Sequence, residues 1–383
     1  MLSLRSTSPP SDTSVLSLLA DLVRINSVNP AYDGGKPELE MVDYLKGYFK
    51  RHSIETSQHE AFPGRPNLIA KLPGKDASRR LVFEAHTDTV SVGGMTIPPF
   101  DPMISDGRLY GRGSCDTKAG LAAMAHAAAS IKQDGLVPPC EIWVVAAADE
   151  EFSFGGVRRL LDDLEATAAV ISEPTEMRIA VASKGVVRWR IECRGKAAHS
   201  SKPDMGVNAI TGMARIIMAF EADSARLRST THPLLGSPTL NIGLIEGGRQ
   251  VNVVPDVCAI ELDRRMLPGE KISEVLAHYR SLVDSDLNVR FDIPMLEDEA
   301  LETSCETELV RAAVRVAEDL RMNSTPVGVP FGTDASKFSR AGIPSIICGP
   351  GSIDLAHGAI EYIEIEQVAQ AVKFYRGLML AFI

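Results

Sequence analysis

Four short stretches are apolar almost throughout: RLVFEAH at 80–86, CEIWVVAAA at 140–148, AAVIS at 168–172 and IPSIIC at 343–348. Each is too short to cross a membrane and too continuous to leave one face wet. That leaves strands buried on both faces, which belong to α/β folds with helices on either side of the sheet. The intervening sequence supplies those helices. Apolar residues recur at helical spacing in 15–25, 38–49 and 117–135, the last ending on Gly135, and NLIAKL at 67–72 reads as a further strand.

The pattern changes after residue 183. In GVVRWRIECR (185–194), Val187, Trp189, Ile191 and Cys193 alternate with Arg188, Arg190, Glu192 and Arg194, so one face is solvated. A helix over 206–220, strands at 239–246 and 257–266, a helix at 271–283 and a strand at 288–293 complete a β-α-β-β-α-β order, the ferredoxin-like signature. The α/β pattern resumes with helices at 305–321 and 364–382 around the strand at 343–348. At 383 residues the chain exceeds one ordinary core. The expected organisation is a doubly wound, mixed-sheet catalytic domain (1–182 and 295–383) interrupted by a ferredoxin-like domain at 183–294.

A net charge of −10 argues against nucleic acid or anionic membrane as the main partner. The six cysteines are scattered without a CxxC pair, which fits reduced thiols in a cytoplasmic protein, with Cys115 a packed small residue. MLSLRSTSPPSDTS at the start lacks the apolar core of a signal peptide and is expected to fray.

The chemistry gathers at strand ends. Strand 80–86 ends in His86, with Thr87 and Asp88 following. Strand 140–148 runs into Asp149-Glu150-Glu151, strand 168–172 into Ser172-Glu173, and strand 343–348 into a loop with His357. Asp116 lies between the turn GRGSC and the helix from Thr117. Taken singly, each has an ordinary explanation: a packed histidine, a helix N-cap for Asp116, an acidic loop before a proline for Glu173. In an open α/β sheet, however, all of them fall on the edge where ligands bind. Adjacent carboxylates repel and resist desolvation unless a cation meets them, and imidazole with carboxylate suits zinc and its neighbours. GRGSCD lacks the third glycine of a dinucleotide loop and the Lys-Ser/Thr of a phosphate loop.

These residues lie in a series of motifs: EAHTDTV (84–90), GRGSCDTKAG (111–120), AADEEFSFGG (147–156), SEPT (172–175), GKAAHSSKP (195–203), NVVPD (252–256), DRRMLPG (263–269), GTDASKF (332–338) and GPGSIDLAHGAIEY (349–362). Their order over nearly the whole chain resembles the M20 family of metallohydrolases, which includes acetylornithine deacetylase, succinyl-diaminopimelate desuccinylase, aminoacylase and glutamate carboxypeptidases. The resemblance implies two divalent ions, zinc or cobalt. His86, Asp116 and Glu173 would hold the first, and Asp116, Glu151 and His357 the second, with Asp116 bridging. It implies Asp88 as the acid orienting the His86 imidazole, Glu150 as general base, and a cis peptide after Asp116. It also implies a lid that pairs two subunits, His199 reaching the partner's site to stabilise an oxyanion, and Asn252 and Arg265 binding a substrate carboxylate.

Side chains of neighbours at a strand end alternate, so Glu150 and Glu151 are expected to face opposite ways, and Asp149 to be a structural acid bonded to nearby backbone. Ile360 stands where acetylornithine deacetylases often carry an acid, and GTDASKF departs from some deacetylases, whereas GPGSIDLAH leans towards them. The expected activity is therefore hydrolysis of the amide of an N-acyl amino acid by a homodimer. A dipeptidase or carboxypeptidase is the alternative within the family, and a non-catalytic metal-binding scaffold the alternative outside it. Retention of Glu150 disfavours the scaffold.

Overall fold

The computed structural model describes residues 15–383; the N-terminal stretch expected to fray lies outside the described residues. The chain divides into two compact units. The first reaches Val181 and takes up Thr303–Val327 and Thr333–Ile383, and the second comprises Ala182–Glu302 and Gly328–Gly332.

The first unit is built on a mixed sheet. Its order runs Glu55–Phe62, Arg65–Leu72, Cys140–Ala147, Asp76–His86, Ala168–Pro174, Ser345–Gly349. The last four are mutually parallel, Arg65–Leu72 pairs antiparallel with Cys140–Ala147, and Glu55–Phe62 pairs antiparallel with Arg65–Leu72. Parallel pairing sets the carboxyl ends of Asp76–His86, Cys140–Ala147 and Ala168–Pro174 on one edge, which is where the acids and His86 emerge. The strands are covered as their composition demands. Leu81, Phe83, Val144 and Val170 are buried in a core shared with helices Val15–Arg24, Leu39–Arg51, Lys118–Gln133 and Ile365–Ala381.

Helix Lys118–Gln133 is the central support. Its alanines at 119, 122, 123, 125, 127, 128 and 129 are buried, so little of its surface is wet. Small side chains let it lie close to both strand Asp76–His86 and helix Ile365–Ala381. Gly120 in its first turn has a further reason: a Cβ there would lie 1.7 Å from Ser172 Oγ. Only glycine admits the approach that brings Asp116, just before the helix, beside the strand carrying Glu173.

The second unit has an antiparallel sheet in the order Thr239–Gly247, Val257–Met266, Gly185–Arg194, Asn288–Phe291. In chain order that is second, third, first, fourth, the split βαβ arrangement of a ferredoxin-like domain. Helices Ala209–Ser229 and Ile272–Ser281 cover one face, packing Met213, Phe220 and Tyr279 on Trp189, Ile191 and Leu262. The other face carries paired charges such as Arg188 Nε to Asp263 Oδ2 at 2.7 Å. Leu296–Asp298 adds to strand Gly185–Arg194, so the unit continues past residue 294.

Candidate metal centre

His86 closes its strand opposite Ala147, and the Thr87 amide donates to Ala147 O at 2.7 Å. This fixes the imidazole beside the next strand end. Its Nδ1 meets the Asp88 carbonyl oxygen at 2.9 Å, and its Nε2 lies 3.1 Å from Asp116 Oδ1. The N-cap position of the following helix falls to Thr117, whose hydroxyl donates to Ser172 O at 2.7 Å. The Asp116–Thr117 peptide is cis. Asp116 faces histidines on both oxygens, since His357 Nε2 lies 3.2 Å from Oδ2. The same nitrogen is 3.2 Å from Glu151 Oε2. Donor atoms of His86, Asp116 and Glu151 lie within 4.8 Å of one another, as do those of His86, Glu150 and Glu173. The expected ligands His86, Asp116, Glu151, Glu173 and His357, together with Glu150, are thus gathered at one place.

Asp88 is fully buried but does not grip the imidazole as expected. Its carboxylate Oδ1 is 3.7 Å from His86 Nδ1, and the ring hydrogen bond goes to its main-chain oxygen instead. The carboxylate accepts the amides of Glu150 and Glu151, each at 3.1 Å, and Asn29 Nδ2 at 2.7 Å. Asp88 therefore holds the acidic turn through its side chain and His86 through its backbone.

Strand alternation does not govern that turn. The strand ends at Ala147, and Asp149 adopts φ 67°, so the three acids follow turn geometry. Asp149 is structural, but its carboxylate is held by side chains: Arg65 at 2.9 Å, Asn29 at 2.9 Å and the Ser153 hydroxyl. The Tyr32 hydroxyl donates to Glu151 O at 2.8 Å. Asn29, Tyr32, Glu38 and Arg65 were not singled out by sequence reasoning. The one available sign was a buried-looking acid, Asp149, with no cation nearby in sequence.

The donor set fits dications. Glu150 and Glu173 are pushed well above the usual carboxylate range, first by burial and then by neighbouring acids, while His86 lowers them. His357 is raised to about 10 by hydrogen bonds to Asp116 and Glu151, and His86 is raised despite burial by Asp116 and Glu173. Glu151 Oε1 is buried with no hydrogen-bond partner, a free acceptor at the cluster. Imidazole nitrogens and carboxylate oxygens around one point form a set that two divalent ions satisfy.

His199, Asn252 and Arg265 belong to the second unit. His199 and Val253 form a bridge, and the Ser200 amide donates to Asn252 O at 3.1 Å, so His199 and Asn252 stand on adjoining exposed segments. Arg265 Nε donates to Asp263 Oδ1 at 2.8 Å.

The pattern of Peptidase family M20/M25/M40 matches residues 82–381, and the chain belongs to that family. It is a metallohydrolase fold acting on amides or peptides. An acetylornithine deacetylase of Myxococcus xanthus is 30% identical over 88% of this chain and 90% of its own length. A probable succinyl-diaminopimelate desuccinylase of Staphylococcus aureus is 28% identical over 96% of this chain and 97% of its own. Among solved structures, aminopeptidase PepT of Bacillus cereus superposes with a TM-score of 0.79 at 24% identity, covering 96% of this chain and 98% of that one. A Bacillus subtilis M20 protein described as a dinuclear metal binding peptidase does so at 0.73 and 17%, covering 96% and 98%.

Proposed function

We propose that this hydrolase cleaves the amide of an N-acyl amino acid, in the manner of an acetylornithine deacetylase, with two divalent ions, zinc or cobalt, per subunit. The observation that carries the reading is the junction of two histidines and four carboxylates at the strand ends, with Asp116 facing both imidazoles. His86, Asp116 and Glu173 would hold one ion, and Asp116, Glu151 and His357 the other; two ions bound there would supply Lewis-acid polarisation of a carbonyl and acidification of water.

Glu150 takes the proton from the attacking water and returns it to the leaving amine. Its position beside His86 and Glu173 supports that role. Asp88 keeps it in place through the Glu150 amide. Arg265 and Asn252 bind the substrate carboxylate, for which a guanidinium fork is suited.

The ferredoxin-like unit pairs two copies of the chain, and His199 serves the partner's site. Strand Thr239–Gly247 lies at a sheet edge and exposes Leu244 and Ile245, while Met218 is exposed on helix Ala209–Ser229. An unpaired edge with apolar residues is a surface that a symmetric copy can cover. No helix among the described residues is long and apolar enough to cross a membrane. The six cysteines are free, which supports a reducing, cytoplasmic compartment.

Screening amine release from N-acyl amino acids, dipeptides and C-terminal peptide substrates after zinc or cobalt reconstitution tests the assignment. Preference for N-acetyl or N-succinyl amino acids is the expected result. Preference for dipeptides would replace it with the peptidase reading.

A further inference from the structure

Glu361 lies four residues beyond His357 and is fully buried. Its carboxylate Oε1 accepts the backbone amides of Cys115 at 2.9 Å and Asp116 at 3.1 Å. Oε2 accepts from Arg112 at 2.6 Å, and the Glu361 carbonyl accepts the Gly111 amide at 3.1 Å. Arg112 is itself only 2% exposed, and its other terminal nitrogen donates to Ser91 O at 3.0 Å. Every one of these bonds to Glu361 comes from segment 111–116, which ends in Asp116.

His357 needs such an anchor. Its side chain is 52% exposed and its backbone adopts φ 61°, so core packing does little to fix it. The Thr96 amide ties Ala359 at 2.9 Å, but to a segment that carries none of the gathered ligands. Glu361 instead ties the His357 loop to the amide of the very aspartate that His357 faces. A carboxylate receiving two amides and a guanidinium makes charge-assisted bonds, which hold geometry more firmly than neutral ones.

We infer that Glu361, buttressed by Arg112, is a positioning residue that sets His357 against Asp116 and so controls chiefly the affinity for the ion that His357 would hold. The inference rests on the two-ion reading above. Partners outside the ligand shell commonly govern metal affinity in this way, since ligand orientation is fixed by what holds the ligand. A residue serving only the fold would weaken both ions together or neither.

The test is calorimetric titration of metal-free, full-length protein with zinc and separately with cobalt. Wild type, His357→Ala and Glu361→Gln are compared, with thermal unfolding recorded for each. The amide of Glu361→Gln turns a donor towards Arg112, so the charge-neutral double variant Arg112→Gln/Glu361→Gln is carried alongside in case the single variant does not fold. The expected result is loss of about 10- to 100-fold in affinity for the ion that His357→Ala also weakens, with a smaller loss for the other ion, which shares Asp116. Wild-type affinity for both ions in a folded variant overturns the inference, as does equal weakening of both. If wild type itself takes up fewer than two ions, the two-ion reading falls and this inference with it. Two ions bound equally well by wild type and variant would overturn the inference alone.

Discussion

Arg65 closes a 2.9 Å ion pair on Asp149 while its Nε and a terminal nitrogen hold Glu38. This pairing explains how three consecutive acids can end a buried strand. Asp149 receives a cation from the protein, and Asn29 ties it to Asp88. Glu150 and Glu151 are left to face the histidine cluster, their amides fixed on Asp88.

Removing Arg65 would strand Glu38 and Asp149, whose side chains are 0% and 2% exposed. Arg65→Met is therefore expected to cost about 3–5 kcal/mol, because unpaired buried charge is the expensive state. Urea unfolding at neutral pH measures it. A loss under about 1 kcal/mol would mean the pair contributes little to stability.

In the second unit, burial alone would raise Asp223, but hydrogen bonds from Arg226 and His278 outweigh it and hold the carboxyl below its usual range. A depressed folded-state pKa stabilises above the unfolded value near about 4 and is lost as pH falls through the folded one. Asp223→Asn should lower stability at neutral pH by about 1 kcal/mol, and the gap from wild type should narrow in acid below about pH 4. A gap unchanged in acid would contradict the pairing.

If His199 serves the partner's site, mixing His199→Ala subunits with Glu150→Ala subunits should produce activity that neither parent has. Mixed dimers that form and stay inactive would place His199 elsewhere.

Arg265 rests on Asp263 in this structure, so its proposed substrate role requires it to exchange or share that partner. Arg265→Lys should impair N-acyl amino acids far more than their amides, since an ammonium lacks the planar fork. Equal loss on acid and amide would assign Arg265 to the ion pair with Asp263.

Much of this was legible in residue order. The strand expected at 257–266 matches the observed Val257–Met266, and strand-end placement pointed to His86, the acids at 149–151, Glu173 and His357 on one edge, where His86, Glu150, Glu151 and Glu173 do come together with Asp116 and His357. Strand Glu55–Phe62, ETSQHEAF, was not anticipated, because it is a polar, mostly half-buried edge whose identity comes from its ladder with Arg65–Leu72. The helix expected over 206–220 starts later, where Asn208 caps it by accepting the Thr211 amide, and runs to Ser229. Its last turns are polar and carry little apolar periodicity beyond Leu227. The supports of the acidic turn were hidden for a different reason. Asn29, Glu38, Arg65 and Asp149 meet through a few polar contacts between residues 27 to 120 positions apart, and no local pattern encodes those.

The most direct measurement compares Glu150→Gln with Glu151→Gln for turnover and bound metal. Glu150→Gln keeps the size of the side chain but cannot accept the proton. It is expected to lose at least about 100-fold in turnover while elemental analysis still finds both ions. Glu151→Gln is expected to weaken the ion shared with His357, with partial rescue by excess metal. Near-normal turnover in Glu150→Gln, or metal loss matching that of Glu151→Gln, would contradict the division between proton transfer and ligation.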